Sequence, residues 1–220
     1  MADRRRGYIN VSVDDADAAA ILAELAGMPD KVRKAKFAAA KKTMRTAEAR
    51  LARGFTEQVN LKSKDVKEKI VVRKHPSSQA PTGVLRIKAT RFPLWKFNRS
   101  LAEAGQFFSQ KGVPVKKRKP KTGAGWKIFK GESKTRHKGF FIARETKSGQ
   151  IQIMRRRIDA KGGKAAKPGR DYRTAYGISL IEADRRRRVL DKPIGEIREV
   201  MLDNLRSQVD RFLKRKKNAR

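Results

Sequence analysis

Apolar residues along the chain keep two rhythms, helical before residue 70 and strand-like after it, with a last helical run at the end. From about Lys31 to Val59, residues Phe37, Ala40, Met44, Ala47, Leu51, Phe55 and Val59 recur at steps of three and four. That spacing draws one narrow apolar stripe on a helix. The opposite face carries Lys34, Lys41, Lys42, Arg45 and Arg53. The small alanines in the stripe leave room for a close neighbour, either this chain's own sheet or another subunit. Ahead of it, DDADAAAILAELAGMPD predicts a shorter helix. Asp14, Asp15 and Asp17 sit where the positive end of the macrodipole favours them, and Gly27 and Pro29 are expected to stop it. Ser63 is placed to cap a short helix, with Asp65 in its first turn and Val66 and Ile70 four apart.

The pieces that follow are short and strand-like. IVVRK, TGVLRIKAT and FPLWKF are apolar segments interrupted by the turn chemistry of HPSSQAPTG. Val113 and Val115 share one face of a strand that runs out into lysine, and GWKIFK alternates, with Trp126 and Ile128 opposite Phe129. Gly139 to Glu145 and Gln150 to Met154 flank a turn containing Lys147, Ser148 and Gly149, which predicts a β-hairpin. Gln150 and Gln152 alternate with Ile151 and Ile153, so one face of its second strand is expected to be wet. From Asp191 or Lys192 a long helix follows, with Pro193 tolerated in its first turn. Its stripe is Ile194, Ile197, Met201, Leu205, Val209 and Phe212, and Arg211 to Lys217 lie at the negative end of its dipole.

The expected fold class is therefore α+β: N-terminal helices, a small, mostly antiparallel sheet with a β-hairpin, and a long C-terminal helix. Residues 1–13 form a basic arm with one short extended piece. Residues 14–217 form one domain with mobile basic loops near 116–125 and 159–171, and 218–220 are its end. Core or subunit packing falls to Phe37, Met44, Leu51, Phe55, Ile197, Met201, Leu205 and Phe212.

Composition changes this picture in one respect. The chain has 220 residues, 38% hydrophobic and 36% charged, with 57 Lys and Arg against 22 Asp and Glu, for a net charge of +35. Ordinary soluble domains are about 25% charged, so the core is thin for the length. A body of this charge repels itself and calls for a polyanion or an acidic protein surface as neighbour. Nucleic acid is the default, since neutralised phosphates release counterions and give affinity without reading sequence. The excess is uneven: Lys111 to Arg170 hold 20 basic residues against 3 acidic ones. The contact residues expected from this are Lys116, Lys117, Arg118, Lys119, Arg155, Arg156, Arg157, Lys161, Lys164 and Lys167. Solvated charge explains any one basic block, but Arg4–Arg6, Lys116–Lys121, Arg155–Arg157, Arg185–Arg188 and Lys214–Lys217 make five.

Candidate chemistry is sparse. The chain has no cysteine, which excludes disulfides and thiolate metal sites. His75 and His137 are 62 positions apart, and neither has a ligand-spaced companion. PKTGAGWK has the glycines of a phosphate loop but not its pattern. The clustered carboxylates are explained by helix capping. Phe92, Trp95, Phe97, Trp126, Phe140 and Phe141 are candidates for base stacking, but their strand-like spacing favours the core. No enzymatic activity, metal or cofactor is expected. Nor is a membrane partner, because no apolar run approaches a span of 18 residues or more.

The order of short motifs carries a resemblance. AAAKKTMRTAEARLARGF, NLKSKDVKEKIVV, GVLRIKATRFPLWKF, KGVPVKKRK, GFFIARETKSGQIQIMRRR and YGISLIEA follow one another and are closed by a long helix. In this order, over roughly Val32 to Phe212, the chain resembles the minor tail protein Z family of tailed phages and prophages. The departures are the long lysine-rich stretches at 116–138 and 159–171, and Ile178 where the family tends to have proline. The resemblance implies a structural tail completion or neck protein, a homo-oligomeric ring of six copies at the head-proximal end of the tail. It would join the tail tube to the neck, beside other tail and neck proteins and the genomic DNA in the lumen. The expected location is the virion, after assembly in the host cytoplasm. A ribosomal or nucleoid-associated nucleic-acid-binding protein is the alternative that charge alone suggests.

Overall fold

A computed structural model describes residues 7–12, 16–97, 124–133, 135–137, 140–144, 151–156 and 172–217. The chain divides into two compact units that alternate in sequence, the first made of Met1–Thr56, Ser63–Ala89 and Leu180–Arg220, the second of Glu57–Lys62 and Thr90–Ser179. The fold class is α+β, with small antiparallel sheets and a long C-terminal helix.

In the first unit, strand β1 (Tyr8–Val11) is followed by helices α1 (Ala16–Ala23), α2 (Pro29–Gln58) and α3 (Ser63–Lys67). Strands β2 (Ile70–Lys74) and β3 (Gly83–Ile87) come next, and α4 (Leu180–Arg187) and α5 (Asp191–Lys217) return to this unit from the far end of the chain. The sheet is antiparallel in the order β1-β3-β2, with Tyr8 in register with Arg86 and Ile70 with Ile87. Alternation sends Ile9, Val11, Leu85 and Ile87 into the core and leaves Asn10 and Arg86 exposed. The short extended piece foreseen in the basic arm is thus a sheet strand.

The 30 residues of α2 make a rod about 45 Å long. Its stripe is as expected from Ala40 to Phe55, all buried, while Phe37 is half-buried near the helix start. Val59 is buried too, but one residue past the helix. Pro29 does not stop α1; it is the first residue of α2, where a missing N–H costs nothing. The turn between the helices is closed by Gly27, at φ 81°.

Helices α2 and α5 run antiparallel, because their contacts fall in opposite order along the two. Gly54 meets the Pro193 ring closely enough that a Cβ would collide with it. Arg50 pairs with Glu196 at 3.2 Å. The buried Thr43 hydroxyl donates to the Met201 sulfur at 3.6 Å and accepts from Asn204 Nδ2 at 3.0 Å. Ile197, Met201, Leu205 and Val209 are buried along α5, with Phe212 half-buried. Helix α4 was not foreseen. It ends on Arg188, at φ 50°, and the Asp184 carboxylate accepts from Leu190 N–H at 2.8 Å to shape the turn into α5.

The second unit holds a 3-10 turn (Leu94–Phe97), a strand pair β4 (Ala124–Trp126) and β5 (Thr135–His137), and a sheet of β6 (Phe140–Arg144), β7 (Ile151–Arg156) and β8 (Tyr172–Thr174) in that order. The two strands of the hairpin pair as predicted, with Ile142 in register with Ile153, and the turn with Lys147, Ser148 and Gly149 lies outside the described residues. Three expectations are corrected. FPLWKF is not a strand beyond Pro93: Lys96 N–H bonds back to Pro93 O at 3.0 Å and tightens the chain into the 3-10 turn. GWKIFK does not continue as one strand, since β4 ends at Trp126, and Trp126 and Phe129 are both buried. A bend at Ile128 resets the alternation, and Phe129 bridges to Val59. Finally, β7 has no wet face at Gln152, which is 6% exposed. As the central strand it is flanked by β6 and β8, and the Thr174 hydroxyl donates to Gln152 Oε1 at 2.6 Å.

Two substitutions test the α2–α5 seam. By helix propensity Gly54→Ala should stabilise by about 1 kcal/mol, yet the methyl meets Pro193, so a net loss of about 1–3 kcal/mol is expected in urea unfolding. Stability at or above wild type would show that the seam yields. Thr43→Val leaves the buried Asn204 amide without its hydroxyl acceptor and should cost about 1–3 kcal/mol, most of which Thr43→Val with Asn204→Leu recovers.

Candidate nucleic-acid interface

The described part of the expected contact set is small. Arg155 lies on the central strand β7 with its side chain exposed, in Cα register with Phe140 on one side and Arg173 on the other. Arg156 lies opposite Tyr172, one position further along the strand. Arg157, Lys116, Lys117, Arg118, Lys119, Lys161, Lys164 and Lys167 fall outside the described residues, as do Arg4–Arg6, Asp14, Asp15, Val113 and Val115. The arginine block therefore begins inside the sheet, and Arg155 is held by ladder bonds on both sides.

What holds that sheet in place is aromatic and local. Trp126 and Phe140 meet edge-on at 5.0 Å between centroids, and Phe92 and Phe97 do so at 6.1 Å and 90°. Phe92, Phe97 and Trp126 are buried, while Trp95 and Phe140 are half-buried. The aromatics of this unit whose side chains are described, apart from Tyr176 at 59% exposure, are thus packing residues rather than an open stacking platform, and the Phe141 side chain lies outside that description. Segment Phe92–Leu94 lies along Ala175–Ile178 as an antiparallel pair: Phe92 N–H to Ile178 O at 3.2 Å, Leu94 N–H to Ala175 O at 2.7 Å, Gly177 N–H to Phe92 O at 2.7 Å.

Asn60 is the polar pin of this unit, and sequence reasoning missed it. Its Nδ2 donates to Phe97 O at 2.8 Å and Lys127 O at 3.2 Å, and its backbone N–H donates to Ile128 O at 2.8 Å. The one available signal was a lone amide between Val59 and Leu61, both buried.

Little else offers chemistry. His75 is exposed just after β2. Among the described residues no group of three or more His, Asp or Glu is arranged to hold a metal, and no helix is long and apolar enough to cross a membrane. An open recess of about 440 Å³ in the first unit is lined by Leu25, Gly27, Met28, Val32, Lys36 and Pro81. Its wall is almost wholly apolar, without a nucleophile or an acid–base pair. The exposed cations are the dominant surface chemistry: Lys34, Lys41, Lys42, Arg45 and Arg53 on α2, and Arg185 to Arg188 at the end of α4. Compared with family models, with curated proteins and with solved structures, the chain matches none of them.

The pin can be tested directly. Asn60→Leu removes two side-chain hydrogen bonds to backbone carbonyls, each worth about 0.5–1.5 kcal/mol. At this chain length about 1–3 kcal/mol corresponds to a melting midpoint lower by several degrees. Calorimetry should show this loss, whereas an unchanged midpoint would mean that the carbonyls are satisfied without Asn60.

Proposed function

We propose that the chain is a structural tail completion protein of a tailed phage or prophage. In this reading it acts as a ring-forming adaptor at the head-proximal end of the tail, joining tube to neck beside the DNA path. The supporting observation is the pairing in the second unit. RFPLWKF and YGISL, two of the motifs on which the resemblance rests, are far apart in sequence, yet they hydrogen-bond to each other through Phe92, Gly177 and Ile178, and Leu94 bonds to Ala175 just before YGISL. Motifs spent on packing suit a scaffold. Its strongly positive surface suits a place between a DNA channel and acidic neighbours. Arg155 and the lysine-rich stretches would then meet phosphate without reading bases.

The charge also favours a second reading, a ribosomal or nucleoid-associated protein. Light scattering at moderate salt separates the two. The adaptor reading expects a defined multiple of the 24.9 kDa chain in the absence of nucleic acid. A 24.9 kDa monomer that associates only on nucleic acid, with steep salt dependence, would give the second reading the advantage.

A further inference from the structure

The cations of α2 are distributed unlike those elsewhere on the described surface. Arg33 and Arg50, on the flanks of the helix, are paired with Asp30 at 3.0 Å and Glu196 at 3.2 Å. Lys34, Lys41, Lys42, Arg45 and Arg53 are exposed, and none forms an ion pair with a described residue. At 100° per residue, Lys34, Lys41, Lys42 and Arg45 fall within an arc of about 100° and span about 16 Å of axis, with Arg53 about 12 Å beyond. Two carboxylates of α2 border that arc, the half-buried Glu48 and Asp30, and Asp30 is already paired with Arg33. Lys41 is steadied by the Phe37 ring, with Nζ 5.6 Å from its centroid.

Helix α5 is the contrast. Its exposed Arg206, Arg211 and Lys214 are interleaved with exposed Glu199, Asp203 and Asp210, which nearly cancel them. Arg185 to Arg188 are consecutive, so they fan around their helix and present no common face. Among the helix side chains that are described, those of α2 form the line of positive charge with the fewest acids beside it.

We infer that this outward face of α2 docks along the phosphate backbone of double-stranded DNA, without reading its sequence. A helix with its side chains is about 10–12 Å across and the major groove of B-DNA is about 12 Å wide, so the cations can reach phosphates on the groove walls. The deep, narrow major groove of A-form RNA does not admit this approach. Between the cations the face carries Ala38, Thr46 and Ala49, and the Thr46 hydroxyl is already bonded to Thr43 O at 3.1 Å. Nothing there is suited to base edges, so affinity comes from charge alone. The inference rests on the reading above only in taking DNA as a neighbour; it does not require a ring.

The test uses the full chain and a labelled 30-base-pair DNA duplex, with anisotropy measured over a salt series. Lys34→Gln, Lys41→Gln and Arg45→Gln are combined in one variant. Arg206→Gln, Arg211→Gln and Lys214→Gln form a control with the same change of charge. The α2 variant should bind at least about tenfold more weakly at about 0.1 M salt, with a salt slope shallower by about 2.7, as expected for three lost phosphate contacts. The control should lose less than about threefold. Equal losses in both variants, or none in the α2 variant, would overturn the inference. So would an RNA duplex or poly-glutamate that binds as tightly as DNA and is as sensitive to the α2 changes, since the face would then take a different polyanion. Both variants change exposed side chains, and unaltered melting confirms that they fold. Light scattering on the α2 variant keeps the two proposals apart: lost DNA binding with oligomer mass retained bears on the groove contact alone.

Discussion

Where Gly54 of α2 meets the Pro193 ring of α5, the first unit has no room for a side chain, and much of its architecture follows from that approach. Two long helices that come this close need small residues on at least one surface. Around Thr43 and Gly54 helix α2 carries Ala39, Ala40 and Ala47, all buried, while α5 buries the larger Ile197, Met201, Leu205 and Val209. Small against large is how two rods interdigitate at interior density. Proline can sit at that point only because it falls in the first turn of α5, where its missing N–H has no intrahelical partner to lose. One buried polar link, Asn204 to Thr43 to Met201, then distinguishes the correct register from a slide by a turn, which would leave Asn204 facing alkyl groups.

The seam also explains how a chain so poor in apolar residues keeps a core. Alanine buries little surface by itself, but it lets backbone and long side chains of the partner close in, so few bulky groups suffice. The charged residues this frees do not all have the same fate. Flanking arginines at the seam's margins find carboxylates, as Arg50 does on Glu196. Exposed pairs such as Arg198 with Asp17 add little stability in water. On the far side of α2 acids are few, only Glu48 and the already paired Asp30 at its border, and Lys34, Lys41, Lys42 and Arg45 repel one another at a cost that folding alone would have no reason to bear.

How much of this the sequence discloses depends on the range of the interaction. The stripe from Ala40 to Phe55 and the stripe from Ile197 to Val209 are set by local periodicity, and both are buried as read. The hairpin is equally local, and so is the start of α5. What fails is whatever depends on a distant partner. Gln152 reads as solvent-facing until β8 closes the other side of its strand and Thr174 supplies a hydroxyl. FPLWKF reads as a strand until Pro93 turns the chain and the residues after it curl. Helix α4 was legible in principle, since Ser179 just before it and Glu182 in its first turn stand in capping-box spacing. Of the expected contact residues only Arg155 and Arg156 lie in described strands, and only Arg155 has its side chain described.

Charge count and charge placement carry different information. A total of +35 says that a polyanion is nearby and nothing about where it sits. Placement requires knowing which cations are already answered, and the fold supplies that. Arg33, Arg50 and Arg198 are accounted for by carboxylates, and Arg206, Arg211 and Lys214 of α5 are interleaved with acids on the same helix. The arginines that end α4 point around its axis. Among the described side chains of the helices, what these subtractions leave on a common face is the line of Lys34, Lys41, Lys42 and Arg45 along α2, whose opposite side meets α5. Because that side is fixed at Gly54 and Pro193, the line of charge is presented on a rigid element, so a phosphate backbone lying on it would meet cations whose backbone positions are already set.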